Sequence, residues 1–178
     1  PLNEPVRGKI KAKNLIVKYN GSNAKALDGI SFTINPGELV AIVGPVGCGK
    51  TTLAKCLGRT IEISNDQLFL DNNDIKKINL EDLRKNIAIV PQEAFLFTST
   101  ISDNIKFGNP EAKNNIIKSS AKRAGLIEDI YNFPKGFQTI VGERGITLSG
   151  GQRQRTALGR ALLIDSPVIV LDLSLIHI

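Results

Sequence analysis

Methionine and tryptophan are absent from these 178 residues, and only two cysteines and two tyrosines occur. No methionine stands even at position 1, so the sequence reads as a piece that starts inside a longer open reading frame. Two cysteines, Cys48 and Cys56, are too few for a disulfide framework and lack zinc-site spacing, which points to reduced thiols in a cytosolic setting. No apolar run approaches the roughly 18–20 residues that span a bilayer, and no secretory signal opens the chain. Repeats and low-complexity tracts are missing too. The charge is unbalanced, with 23 Lys and Arg against 17 Asp and Glu and a net charge of +6. The cations are scattered along the chain instead of gathered on one stretch, so they read as solvated faces. They do not argue for a nucleic-acid surface, although a modest positive field favours an anionic ligand.

What is present is chemistry for phosphate. A short apolar run, Leu39–Val43, stops at Gly44, and Gly44-Pro45-Val46-Gly47-Cys48-Gly49-Lys50-Thr51 then fits G-x-x-x-x-G-K-S/T in every fixed position. Glycines let the backbone curl so that successive N–H groups face one anion. Lys50 adds a point charge for the outer phosphates, and Thr51 offers a hydroxyl to Mg²⁺. A helix from Lys50 to about Leu57 aims its positive end at the same place. Thr52 reads either as a second phosphate contact or as a helix-surface threonine. By itself this loop leaves kinases, GTPases, helicases and transport ATPases open.

Around it the periodicities predict an α/β domain. Lys9–Tyr19 and Ile30–Ile34 alternate as half-exposed antiparallel strands, and Gln67–Leu70 is a short third strand. Leu39–Val43, Ile87–Val90 and Val168–Leu171 are continuously apolar, as in a parallel sheet covered by crossover helices. Helices are expected after Asn79, which could form a capping box with Asp82, over Ile101–Lys106, from Pro110 to about Ala124, and over Ile127–Tyr131. A last helix starts at Ser149, whose S-x-x-Q spacing to Gln152 is a capping box, with Ala157, Leu158, Ala161 and Leu162 as its apolar stripe and Arg153 and Arg160 facing elsewhere.

Three further stretches narrow the choice. Leu148-Ser149-Gly150-Gly151-Gln152 resembles the LSGGQ signature of ABC-type ATPases. Gln92 follows an apolar strand where that family carries its Q-loop, and Val168–Asp172 stands where it carries Walker B. The resemblance covers about Gly8 to Asp172. Thr100-Ile101-Ser102-Asp103-Asn104-Ile105 and Val141-Gly142-Glu143-Arg144-Gly145 resemble exporter segments, the second being the X-loop that faces membrane domains. The sequence is thus similar to the nucleotide-binding domain of an exporter-type ABC transporter.

That resemblance implies a P-loop NTPase with a mostly parallel sheet, an N-terminal antiparallel β subdomain and a helical subdomain over about 93–160. Residues 1–7 would end a linker from upstream membrane-spanning segments, and the ATPase domain would run over 8–172. It implies ATP and Mg²⁺ as ligands. Tyr19 would stack on adenine, against a plain reading as a core-facing strand aromatic. Gln92 would bind Mg²⁺ and the attacking water, and Asp172 would hold Mg²⁺ through water. Leu148, Ser149, Gly150, Gly151 and Gln152 would meet the ATP of a partner domain, so the active site would be composite and a dimer required. The domain would sit on the cytoplasmic face of a membrane, with no nucleic-acid partner.

One departure stands out. Where the family has a second carboxylate to polarise water, this sequence has Leu173, followed by Ser174-Leu175-Ile176-His177-Ile178. The D-loop and H-loop histidine are not in the sequence, and residues 173–178 read as a non-native tail. Loss of a general base costs roughly 10²–10⁴-fold in rate. This exact chain is therefore expected to bind MgATP weakly and to hydrolyse it negligibly. A soluble ABC ATPase acting on DNA or ribosomes, or a nucleotide sensor that does not hydrolyse, are the competing readings.

Overall fold

A computed structural model describes residues 5–142 and 146–172. The chain divides into two compact units at Ile89/Val90.

The first unit is built on an antiparallel sheet. β1 (Ile10–Lys18) pairs with β2 (Lys25–Ile34) on one side and β3 (Leu68–Leu70) on the other, and β4 (Asn73–Asp74) closes the order β2-β1-β3-β4. The early alternation predicts this pairing, but β2 is longer than Ile30–Ile34. Its ladder survives a bulge because Asn14 (φ 47°) and Gly29 (φ 70°) both take left-handed backbone, and the Ser31 hydroxyl accepts the Asn14 N–H at 2.8 Å. A side chain at Gly29 would meet Asn14 Oδ1 at 2.9 Å. The inward face carries Ile10, Ala12, Leu15, Val17, Leu27, Leu68 and Leu70, all buried.

α1 (Lys50–Leu57) has the bounds that the sequence predicts. α2 (Leu80–Asn86) is capped by Asn79, whose side chain accepts from the Glu81 N–H at 2.8 Å, not by a box with Asp82. β5 (Ile87–Val90) is buried along most of its length, as its apolar run implies.

Leu39–Val43 behaves differently. Expected as a strand buried on both faces, it forms no strand among the described residues, and Leu39 and Val43 are 101% and 83% exposed. A continuous apolar run is buried only where neighbours pair both edges and cover both faces. The described residues supply neither.

The second unit is helical. β6 (Ser99–Thr100) leads into α3 (Ile101–Lys106), capped by the Thr100 hydroxyl. α4 spans Asn114–Arg123 rather than starting at Pro110, because Asn109 turns the chain first, taking the Glu111 N–H on Oδ1 and the Ala112 N–H on its carbonyl. Gly125 (φ 68°) ends α4 as its sequence position predicts: its N–H donates to Lys122 O and that of Leu126 to Ala121 O. α5 (Ile127–Asn132), β7 (Ile140–Val141, antiparallel to β6), α6 (Gly150–Ile164) and β8 (Val168–Leu171) follow.

α3 and α4 pack on α6, and the Ser120 hydroxyl donates to the Gly159 carbonyl at 2.6 Å. The core gathers Ile101, Ile105, Ile117, Leu126, Ile130 and Leu163. α6 therefore buries more than the narrow predicted stripe: Thr156, Gly159 and Leu163 are inside, whereas Leu158 and Leu162 are only half-buried. Arg160, expected to face away, turns inward. β8 has the apolar run of a buried strand, yet Ile169 and Leu171 are 38% and 48% exposed, again for want of cover among the described residues. No described helix is long and apolar enough to cross a membrane.

Candidate nucleotide-binding site

In the first unit the phosphate loop joins the end of the Leu39–Val43 run to α1. Gly47 and Gly49 have φ of 82° and 96°, a conformation that side chains resist. At Gly49 space excludes them too, since a Cβ there would lie 2.5 Å from Ala26 O and 2.7 Å from Leu27 Cδ2. Gly49 is the N-cap of α1, and no side chain caps that helix. The first N–H groups of a helix have no partner within it, and a start without a side-chain cap suits an anion. Lys50 folds its ammonium onto the loop, donating to Gly44 O at 2.7 Å and Pro45 O at 2.8 Å, with Cys48 Sγ 3.7 Å away. Gly44 makes room for Cys48, because a Cβ there would sit 2.7 Å from Sγ. Pro45 and Val46 form the outer turn, and Val46 is fully exposed.

Tyr19 is 42% exposed, and its hydroxyl hydrogen-bonds with Thr52 Oγ1 at 3.2 Å. It is therefore not a core-facing aromatic. Thr52 is buried rather than on the helix surface, its hydroxyl tied to Tyr19. The structure thus brings Tyr19, Thr52, Lys50 and the loop together at one end of α1. Thr51 stands in the first turn of the same helix, a hard oxygen donor suited to Mg²⁺, which prefers few protein oxygens and substrate phosphates.

In the second unit the helix start is built in the opposite sense. Ser149 caps α6: its Oγ accepts the Gln152 N–H at 3.2 Å, and Gln152 Oε1 accepts the Ser149 N–H at 3.0 Å. Leu148 is buried in the helical core, so its side chain anchors the motif while its carbonyl accepts from Arg153 Nη1 at 2.7 Å. Gly150 and Gly151 are exposed.

Gln92 is exposed in the loop after β5, and its carbonyl accepts from Gln154 Nε2 at 3.4 Å. The Asp172 N–H donates to Val90 O at 2.9 Å, which sets this residue beside the strand end that precedes Gln92. Of the X-loop stretch, Val141 and Gly142 are described, while Glu143, Arg144 and Gly145 lie outside the described residues, as do Leu173 and the tail.

Two groups escaped the sequence reading. Asp129 on α5 holds both Gln152 and Arg155. Burial pushes its carboxyl up, but the hydrogen bonds from Gln152 and Arg155 outweigh this and hold it below its ordinary value. The other group is an aromatic face: Phe95, Phe97 and Phe107 are exposed, with ring centroids 5.1 Å and 4.7 Å apart in succession. Arg160 lies 5.5 Å from the Phe97 and Phe107 ring centres and donates to Asn104 O at 2.9 Å and Phe95 O at 3.2 Å. Burial pulls its guanidinium below the ordinary value. Aromatic clusters after a strand carry no local signal for this.

Comparison with known proteins decides the family. The family model described as ABC transporter matches residues 27–173. The chain belongs to the ABC transporter family. Its P-loop NTPase fold and its place as an exporter-type nucleotide-binding domain follow from that match together with the relatives. An ATP-dependent lipid A-core flippase of Aromatoleum aromaticum is 41% identical over 170 residues, 95% of this chain and 28% of that protein. ABC transporter B family member 4 of Dictyostelium discoideum is 45% identical over 168 residues, 94% of this chain and 22% of that protein. A solved bacterial Atm1-family ABC exporter with ATP bound superposes with a TM-score of 0.89 at 36% identity, covering 96% of this chain and 30% of the other. The ABC domain therefore spans less than a third of the length of these relatives.

Proposed function

We propose that in the intact protein this ABC domain is the ATP-binding and ATP-hydrolysing part of an exporter, working on the cytoplasmic side of a membrane as one of a pair. What carries the reading is that both helix starts it requires are formed in this chain. One is the uncapped start of α1, with left-handed Gly49 and Lys50 held over the loop. The other is the capped start of α6, which presents a serine hydroxyl.

In this reading the loop from Gly44 to Gly49 wraps the phosphates with backbone N–H groups, and Lys50 leaves the Gly44 and Pro45 carbonyls to meet the outer ones. Tyr19, half exposed, offers a ring face to adenine, a contact worth roughly 1–3 kcal/mol by analogy with base stacking. The resemblance assigns Thr51, Gln92 and Asp172 to Mg²⁺, which when bound would neutralise charge on the phosphates. Ser149, Gly150, Gly151 and Gln152 reach the ATP held by the second domain. Export is favoured over action on DNA or ribosomes by the named relatives and by the exposed Phe95–Phe97–Phe107 face, an apolar surface of the kind that marks docking to another protein. Membrane-spanning segments of the same transporter would dock there and near the X-loop.

Reading the sequence that precedes this segment tests the proposal. Several runs of roughly 20 apolar residues are expected. A second ATPase cassette or coiled-coil heptads in their place would overturn it.

A further inference from the structure

Asp129 on α5 governs how the start of α6 presents itself. Its Oδ1 accepts from Gln152 Nε2 at 3.1 Å, and its Oδ2 accepts from Arg155 Nε at 3.1 Å and Nη2 at 2.7 Å. A carboxylate only accepts hydrogen bonds, so the Gln152 amide has one satisfactory orientation here, nitrogen toward Asp129. Its oxygen is thereby turned to the Ser149 N–H, which it accepts at 3.0 Å. The reversed amide would set oxygen against carboxylate and NH₂ against N–H. Ser149 Oγ in turn accepts the Gln152 N–H, which leaves the hydroxyl proton to be donated outward, toward an anion.

Arg155 completes the unit and explains a glycine. Its Nη1 lies 3.2 Å from where a Cβ on Gly151 would be, so Gly151 provides the room in which Arg155 reaches Asp129. A helix cap by itself needs no carboxylate behind it. A cap that must keep one polarity next to a triphosphate does, and the guanidinium offsets the negative charge so introduced.

We propose that Asp129 is a positioning residue for the signature serine: through the Gln152 amide it fixes Ser149 as a donor to the nucleotide of the partner domain. This rests on the reading that Ser149 meets that nucleotide. It makes α5 part of the machinery of ATP-driven pairing.

The test uses the full-length protein that carries this segment, with MgATP-driven closure followed by energy transfer between two labelled copies. Binding of a fluorescent ATP analogue to the unpaired protein is the second readout. Asp129→Ala is expected to raise the ATP concentration for half closure by about tenfold, the loss of a charge-assisted hydrogen bond, with analogue binding unchanged. A merely structural role would leave closure and binding together, both unmoved or both impaired.

The isosteric pair Asp129→Asn and Gln152→Glu reverses the polarity of the contact. The amide that the first change places on α5 can donate to the new carboxylate on α6 and still accept from Arg155. The other oxygen of that carboxylate still accepts the Ser149 N–H. Each single change is expected to weaken closure, and the double change to recover most of it. Normal closure in Asp129→Ala, or a double variant no better than its worse parent, overturns the proposal. Ser149→Ala separates the two layers: if it closes normally, the reading of Ser149 itself fails, whereas if it fails to close while the Asp129 variants close normally, only the role of Asp129 falls.

Discussion

α1 and α6 both begin beside glycines, and their starts are finished in contrasting ways. At Gly49 no side chain caps the helix, the backbone is left-handed, and a lysine leans over the loop. At Ser149 the helix is capped twice over, by a hydroxyl and by a glutamine, and the glutamine is itself held by Asp129. An uncapped start offers backbone N–H groups and needs a ligand to satisfy them. A capped start has satisfied its own, and what it offers is a hydroxyl of fixed direction. In the proposed function, the contrast separates holding a nucleotide from sensing one. Substitutions at the two ends should fail differently.

The largest effect is expected at Gly49. Gly49→Ala forces a Cβ into Ala26 O and a left-handed φ on alanine, which should cost about 2–3 kcal/mol of stability and abolish ATP binding, as chemical denaturation and an ATP titration would show. Lys50→Ala comes next: binding of MgATP should weaken about 10- to 100-fold with the fold intact, since an ionic hydrogen bond to phosphate is lost. Ser149→Ala should instead leave ATP binding to the unpaired domain unchanged, lose about 1 kcal/mol of helix stability and lose ATP-driven pairing. If it weakened ATP binding as Lys50→Ala does, the contrast between the two helix starts would break.

The cysteines sharpen the same comparison at the level of access. Cys48 is exposed in the loop, while Cys56, 0% exposed on α1, has its thiol pushed up to about 11 by burial. A maleimide at neutral pH should label Cys48 alone, and ATP should slow that labelling. Because the neutral thiol of Cys56 is favoured in the fold, its contribution to stability is constant below about pH 9 and declines as pH rises toward 11.

The smallest effect belongs to Asp129. Its carboxyl is held below the ordinary 3.8, so it contributes stability above that pH and loses it as pH falls through the lowered value. Acid unfolding of Asp129→Asn should lack this component. No side chain caps α1, so its start should show no matching loss.

How much of this could be read from the sequence varies with how local the cause is. The bounds of α1, the capping box at Ser149 and the glycine stop at Gly125 follow from a few adjacent residues, and all three were legible. Ile87–Val90 and Leu39–Val43 have the same apolar character, yet only the first is buried, because burial depends on neighbours that a run of residues cannot report. Arg160 was illegible for the same reason: its helical position says which way it leaves α6, not that Asn104 and two phenylalanines wait there. Asp129 had no motif at all. Its importance arises from α5 meeting the first turn of α6, a contact 23 residues distant in sequence from Gln152. Tyr19 and Thr52 were each legible as candidates, but their mutual hydrogen bond was not.

The central claim is that these two helix starts, on different copies of the chain, hold one nucleotide between them. A structure of the intact protein trapped with ATP tests it most directly. The account predicts Ser149 Oγ within about 3 Å of a γ-phosphate oxygen whose nucleotide lies in the Lys50 loop of the partner. Finding Ser149 distant from every γ-phosphate, or against the nucleotide bound by its own copy, would contradict it.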